Sequence, residues 1–231
     1  WLVAYALVWF WDLPEVGTNK WGGLFLTLVI SGIGMTFSLP AGVLLALGRR
    51  SSLPVIRLVC TVFIELFRSV PLITILFMFT TMLPLFLPVG VEVDLLVRAI
   101  VAVCLFASAY VAEIVRGGLQ AIPRGQYEAA AAMGFGYWQS TALIVMPQAL
   151  KIMIPTLVGQ FIGLFKDTTL VSIIGLFDLL NMARAIGEDT DWLGLFIEPF
   201  FAVTLLYFVF CFAMSQYSIN LERKLDTGHR S

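Results

Sequence analysis

The sequence predicts an all-α membrane protein with about five transmembrane helices. Of its 231 residues, 60% are hydrophobic and only 13% are charged, whereas about a quarter of the residues of an ordinary soluble domain are charged. The charged residues are clustered in short segments, with long apolar windows between them. Such continuous windows are typical of spanning helices, because the strands of a membrane barrel alternate apolar and polar residues.

Five windows with few or no charged residues are each long enough to cross a bilayer. A hydrocarbon core of about 30 Å requires about 20 helical residues at 1.5 Å per residue. We therefore predict one spanning helix in each window. The windows are Leu24 to Gly48, Ser69 to Val91, Leu95 to Leu119, Ile152 to Phe177 and Trp192 to Leu221.

The first 20 residues do not predict a complete span of their own. Their apolar run ends at Trp11, which is too short to cross, and it lacks the basic start and cleavage site of a signal peptide. We interpret residues 1–20 as a truncated helix or an interfacial segment anchored by Trp9 and Trp11. The main domain is predicted at 21–225, and a cytoplasmic tail at 226–231.

Basic residues are concentrated in one set of connecting segments. Residues 49–68, 116–151 and the tail after Leu221 hold ten of the 14 lysines and arginines. The opposite side holds Lys20, Arg98 and Arg184. Because cytoplasmic loops carry the excess of positive charge, we expect the first set of segments and the C-terminus to be cytoplasmic.

The residue types argue against catalysis and metal binding. Cys60, Cys104 and Cys211 are far apart among apolar residues, and the single histidine, His229, lies in a polar tail. The sequence contains no Gly-x-x-x-x-Gly-Lys-Ser/Thr run to cradle the phosphates of a nucleotide. We predict a non-catalytic chain with no cofactor or metal of its own.

Residues 120–151 change to small and polar composition, and form a predicted cytoplasmic loop. Pro123 suits the first turn of a helix, residues 124–133 are good helix formers, and Gly134 stands where a left-handed cap would follow. The pattern predicts a short helix, a bend, and a second helix that ends near Pro147.

The short helix predicted in this loop has the composition of a docking surface. Ala129 to Ala132 would leave a nearly bare helical face, which the groove of another protein could approach closely. Glu128 would add one anionic anchor beside the alanines.

The register of this loop resembles the one by which permease subunits of ATP-driven importers engage their ATPase. Glu128-Ala129-Ala130 is followed by Gly134, Ile144 and Pro147 at the family spacing, with Met146 where leucine is usual. The chain from 21 to 225 resembles the polar amino-acid uptake permeases of bacterial ABC transporters, of the histidine, glutamine and general amino-acid type. The segments that carry this resemblance are 65–72, 110–119, 122–133 and 166–170, with Ser69 where the family often has glycine.

The resemblance implies the type I ABC importer permease fold, with a cytoplasmic coupling helix, in a bacterial cytoplasmic membrane. It implies two ABC ATPase subunits that hold ATP and Mg, and a second permease subunit, identical or homologous. It also implies a periplasmic or lipid-anchored substrate-binding protein, and no nucleic acid. The implied ATPase-coupling residues are Glu128, Ala129, Ala130, Ala131, Gly134 and Pro147.

Charged residues within the predicted spans mark a candidate substrate pathway or gate, because each costs about 2.5 to 3.5 kcal/mol at the bilayer centre. Lys166 and Asp167 are the deepest, roughly 22 Å along the helix from Lys151. Thr168 and Thr169 add hydroxyls beside them. A contact with substrate, a gate or interhelical pair, and exposure at a broken helix are the three interpretations.

Two further charge pairs lie near the cytoplasmic ends of spans. Glu65 with Arg68, and Glu113 with Arg116, are spaced i, i+3 and share a helix face, which fits either local ion pairs or an inner gate. Pro71 is expected just inside the second helix, where it would set a bend. The full set of candidate pathway or gate residues is Glu65, Arg68, Pro71, Tyr110, Glu113, Arg116, Lys166, Asp167, Thr168 and Thr169.

The function expected from these observations is import of polar amino acids by alternating access, driven by a separate ATPase. One alternative is an ion-coupled secondary transporter that uses Lys166 and Asp167. It is disfavoured because no convincing internal repeat is visible. The other alternative is a membrane scaffold whose loop only docks a cytoplasmic partner.

Overall fold

The computed structural model describes residues 17–88, 90–192, 194–195 and 197–225, and these residues are helical with no β-strand. The predictions for residues 1–16 and for the tail at 226–231, which includes His229, lie outside the described residues. The α-helices are α1 Gly23–Arg49, α2 Pro54–Ser69, α3 Leu72–Phe77, α4 Leu95–Gln120, α5 Arg124–Ala132, α6 Tyr137–Ser140, α7 Met146–Asp167, α8 Leu179–Glu188 and α9 Ile197–Leu225.

Four helical stretches of the described chain are long and apolar enough to cross a membrane. They are α1, α4, α9 and the continuous stretch Tyr137–Ile174, which contains α6 and α7. Counting the bent pair α2 and Leu72–Phe86 as one span brings the number to five. The expected all-α architecture with about five spans is therefore confirmed. The fourth span begins at Tyr137, well before Ile152, where the apolar window starts.

The prediction of a single helix over Ser69 to Val91 is wrong. Helix α2 ends at Ser69, and the next helical stretch starts at Leu72 and leaves at an angle of 107°. Val70 and Pro71 between them are extended, with ψ of 134° and 143°. Pro71 thus lies at the break, as the residue that precedes α3, and not inside a helix as predicted. Its fixed φ and missing N–H group explain why the helix stops there.

Small residues bring α1 and α4 into close contact along the centre of the fold. A side chain at Gly42 would lie 2.5 Å from Val111 Cγ1 and 2.9 Å from the backbone nitrogen of Ala112. At Gly34, a Cβ atom would lie 3.1 Å from both Val103 and Leu164. Helix α1 is therefore packed closely against both α4 and α7, which is how small residues associate helices where water is absent.

The C-terminal end of α7 is broken. After Asp167 the chain continues as a 3₁₀ helix, Thr168–Ile174. This helix ends at Gly175, which has the left-handed conformation with a φ of 90°. Asp178 is fully buried and caps α8 by accepting bonds from the N–H groups of Leu180 and Asn181. The N–H group of Leu179 donates to Thr27 Oγ1 at 3.2 Å, which ties this turn to α1.

Candidate functional site

The bend of the loop at residues 120–151 is a Schellman motif at the end of α5. Gly134 has a φ of 81°, its N–H group donates to Ala131 O at 2.9 Å, and the N–H group of Phe135 donates to Ala130 O at 3.1 Å. These two bonds satisfy the last carbonyls of the helix. The short helix and the left-handed glycine predicted from sequence are both present.

One face of α5 is fixed to the rest of the chain. Ala130 is completely buried, Tyr127 donates from its hydroxyl to Leu119 O at 3.2 Å, and Gln148 Nε2 donates to Gln126 Oε1 at 3.1 Å. The first bond reaches the end of α4 and the second reaches the start of α7. Ala130, which was expected on the docking surface, therefore faces its own chain and cannot be offered to a partner.

The opposite face of α5 is open. Glu128, Ala129 and Ala131 are exposed, and so is Met133 at the end of the helix, with 66% of its surface accessible. Pro147 is exposed as well, on the helix that follows. We call Glu128, Ala129, Ala131 and Met133 the coupling face.

The second helix of the loop does not end near Pro147, contrary to the prediction. It begins at Tyr137, passes through a π-helical turn at Thr141–Val145, and continues as α7. Pro147 lies in the first turn of α7. Since proline lacks the N–H group that would bond to the carbonyl four residues earlier, and its ring crowds that carbonyl, the wider turn accommodates it without ending the helix.

A carboxylate on α4 joins the C-terminal ends of three helices. Glu113 lies within 3.3 Å of Arg49 at the end of α1 and within 3.5 Å of Arg68 at the end of α2, and it also accepts bonds from Arg116 on its own helix. Arg68 lies over the ring of Tyr110, 5.9 Å from its centre. We call Glu65, Glu113, Arg49, Arg68 and Arg116 the inner charge cluster.

The structure changes the pairing expected within this cluster. Glu113 does pair with Arg116 at i, i+3, but Glu65 does not pair with Arg68. Glu65 instead contacts Arg49 at 2.9 Å. Arg49 was not singled out from the sequence because its partners lie 16 and 64 residues away. Its only signal was its position as the basic residue that ends the first window.

Lys166 to Thr169 lie at a different level of the fold. The C-terminal part of α7 lies level with Val103 of α4, because a Cβ atom at Gly34 of α1 would lie 3.1 Å from both Leu164 and Val103. Val103 is ten residues before Glu113, which is about 15 Å along α4. Lys166 is exposed and Asp167 is half-buried, whereas Thr168 is buried. The threonine hydroxyls donate to Phe165 O and Lys166 O, so they support the end of the helix. The candidate pathway residues therefore form two groups and not one site.

No group of histidine, cysteine and carboxylate side chains suited to a metal ion occurs among the described residues. The described residues thus present an exposed face on α5 and two groups of charged side chains at different levels of the helices.

A family model described as binding-protein-dependent transport system inner membrane component matches residues 38–227. The chain is 52% identical over 235 residues to the inner membrane amino-acid ABC transporter permease protein YhdY of Escherichia coli (strain K12), a match that covers 99% of this chain and 64% of the relative. It is also 52% identical over 219 residues to the glutamate/glutamine/aspartate/asparagine transport system permease protein BztC of Rhodobacter capsulatus, covering 94% of this chain and 50% of the relative. The chain thus spans less than two thirds of the length of these two relatives.

Among solved structures, the chain is similar to one described as the crystal structure of an amino acid ABC transporter with histidines. The two share 30% sequence identity with a TM-score of 0.77, over 96% of each chain. The likeness therefore extends over nearly the whole chain.

Proposed function

The chain belongs to the family of binding-protein-dependent transport system inner membrane components, and from this premise we propose that it is the transmembrane subunit of an ATP-driven importer of polar amino acids. The names of its relatives support the amino-acid substrate class. The observation that carries the proposal is the coupling face, which is exposed on a helix whose other face is tied to α4 and α7.

Energy for transport comes from other subunits in this proposal. Two ABC ATPase subunits hold ATP and Mg, because this chain has no phosphate-binding run of its own. A second permease subunit, identical or homologous, completes the pathway. A periplasmic or lipid-anchored binding protein delivers the amino acid to the outer side, and the bilayer surrounds the helices.

The coupling face would seat in a groove of the ATPase. When ATP binding moves that groove, α5 moves with it as a short rigid element, since its Schellman turn and its buried face leave it little freedom. The Tyr127 to Leu119 bond passes the motion to α4, and the Gln126 to Gln148 bond passes it to α7. Helix α4 carries Glu113 and α7 carries Lys166, so a movement of α5 displaces both groups of charged residues. The helices move as rigid bodies and open the pathway to one side of the membrane or the other.

The inner charge cluster is the proposed inner gate. It holds the cytoplasmic ends of α1, α2 and α4 together through Glu113. Opening toward the cytoplasm separates these ends. The exposed ammonium of Lys166 and the half-buried carboxylate of Asp167, at the break after α7, match in kind the two charges of an amino-acid zwitterion.

The coupling proposal is tested by adding bulk to the coupling face. Ala131→Trp is expected to abolish co-purification of the ATPase and binding-protein-stimulated ATP hydrolysis, because the indole would hold the ATPase away from α5. Glu128→Lys is expected to weaken both by reversing the anionic anchor. The matched control is Thr190→Trp, at an exposed position on the side expected to be opposite the loop, which should leave co-purification intact. Normal assembly and uptake with Ala131→Trp would refute the proposal.

The energy source of transport distinguishes this proposal from the alternative of an ion-coupled secondary transporter. Uptake into vesicles that contain the reconstituted complex should continue with an uncoupler present and stop when ATP is withheld. The reverse result, uptake that collapses with the uncoupler and needs no ATPase, would assign Lys166 and Asp167 to an ion site instead.

A further inference from the structure

An open groove lies at the end of α1, where the chain turns into α2, and faces Tyr137 and Trp138 of α6. It has a volume of about 580 Å³. Its apolar wall is formed by Leu44, Leu47 and Ile56, and its polar rim by Arg50, Ser51 and Ser52. None of these residues belongs to the coupling face or to the inner charge cluster.

The groove is positively charged. None of its lining residues is acidic. Arg50 lies with its guanidinium over the ring of Tyr127, 5.9 Å from the ring centre. Arg57 does not line the groove but donates from Nε to the rim residue Ser51 at its carbonyl oxygen, at 3.0 Å. Neither arginine is within ion-pair distance of a carboxylate among the described residues, whereas Arg49, Arg68 and Arg116 all are. Two guanidinium groups therefore lie at the groove, and no carboxylate of the described residues neutralises them.

The groove also lies where a spanning segment ends. Helix α1 is apolar up to Arg49, so Leu44 lies within the apolar part and Arg50 just beyond it. Leu44 is 69% exposed and Trp138 is 70% exposed. Exposed tryptophan and tyrosine beside arginine are typical of the level of the lipid headgroups. An occupant of this groove must be apolar at one end and anionic at the other.

We propose that the groove binds an anionic phospholipid. The phosphate of its headgroup is held by Arg50 and Arg57 with the hydroxyl of Ser52, and an acyl chain lies along Leu44, Leu47 and Ile56. Basic pockets between spanning helices are the kind of site that recognises such headgroups. Because Arg50 also lies over Tyr127, which is bonded to Leu119, a bound headgroup would brace α5 from the side opposite the coupling face.

The occupant is identified by photo-crosslinking from within the groove. Benzoylphenylalanine replaces Leu44 in the complex with its ATPase, reconstituted into vesicles of dioleoyl phosphatidylglycerol and dioleoyl phosphatidylcholine in equal amounts. Mass spectrometry of the intact chain after irradiation is expected to show a phosphatidylglycerol adduct in excess over the phosphatidylcholine adduct. In the same background, Arg50→Gln and Arg57→Gln should each reduce that excess by about fivefold. This is the change in binding that corresponds to the attraction between one basic residue and an anionic lipid surface.

Three comparisons make the result decisive. Lys224→Gln removes an exposed charge near the end of α9, away from the groove, and should leave the excess unchanged. Added inorganic phosphate should not displace the lipid, because a free anion has no acyl chain; displacement would show a simple anion site and overturn the proposal. Equal adducts of the two lipids, or a crosslink from Leu44 to another polypeptide such as a second permease copy, would overturn it as well.

Discussion

The carboxylate of Glu113 lies between three guanidinium groups, and two of them have no other carboxylate within ion-pair distance in the described chain. Glu113→Gln would leave Arg68 and Arg116 without a counter-charge in a region that is only partly solvated. Hydrogen bonds to charged groups contribute about 1.5 to 3 kcal/mol each. We therefore expect Glu113→Gln to lower the free energy of unfolding by about 2 kcal/mol, measured by denaturant unfolding in mixed micelles.

Glu65→Gln is the matched control for this prediction. Glu65 is 55% exposed at its side chain, and among the described residues its carboxylate forms an ion pair with Arg49 alone, which keeps Glu113 as a partner when Glu65 is neutralised. An exposed ion pair contributes about 0.5 kcal/mol or less after solvent screening. Equal losses of stability for the two variants would mean that Glu113 is not the centre of the cluster.

Within the coupling loop, two glycines separated by one residue differ in backbone conformation. Gly134 has a φ of 81°, whereas Gly136 has an ordinary φ of −69°. Neither would clash with a neighbour if a Cβ atom were added, so only conformation distinguishes them. Gly134→Ala should cost about 1 to 2 kcal/mol in the turn, which would raise hydrogen exchange of the Gly134 and Phe135 amides and weaken retention of the ATPase. Gly136→Ala should leave both unchanged, and equal effects of the two substitutions would argue against a role for the left-handed turn.

The contact between α1 and α4 gives a similar comparison inside the membrane-spanning core. A Cβ atom at Gly42 would lie 2.5 Å and 2.8 Å from atoms of Val111, whereas one at Gly32, on the same helix, meets nothing within 4 Å. Gly42→Ala must push the two helices apart, and overpacking of this kind costs about 1 to 3 kcal/mol. Gly32→Ala should be neutral or slightly stabilising, since alanine is the better helix former. Thermal unfolding of the purified complex would compare them, and equal midpoints would contradict the close packing.

Element boundaries could be predicted from sequence where charge alone delimits a helix. The windows Leu24 to Gly48 and Leu95 to Leu119 agree with α1 and α4 to within one residue at each end. Arg49 directly follows the first window and Asp94 directly precedes the second, so a charged residue marks one boundary of each helix. The second window could not be predicted in the same way. It contains no charged residue from Ser69 to Val91, so hydropathy marks one continuous window and does not reveal the 107° bend beside Pro71.

In the candidate sites too, the sequence predicts contacts between neighbouring residues but not contacts between distant parts of the chain. The Schellman turn at Gly134 involves neighbouring residues, and the loop pattern predicts it. The pairing of Arg49 with Glu113 spans 64 residues and exists only because α1 packs on α4. The burial of Ala130 is a further example, since only the fold determines which face of a short alanine-rich helix is covered.

The whole chain has a predicted orientation, with the loop that carries α5 in the cytoplasm. Positions at the two ends of α9 test both the span and its direction. After replacement of Cys60, Cys104 and Cys211, single cysteines at Thr190, Lys224 and Glu128 can be exposed to a membrane-impermeant maleimide in spheroplasts. All three native positions are exposed in the structure.

Thr190→Cys should react in intact spheroplasts, whereas Lys224→Cys and Glu128→Cys should react only after lysis. This outcome follows if α9 crosses the bilayer and the basic segments are retained inside. Reaction of Thr190→Cys and Lys224→Cys from the same side would mean that α9 does not span. A clean inversion of the pattern would place the coupling face outside the cell, where no ATPase supplied with cytoplasmic ATP could reach it, and the proposed function would fail with it.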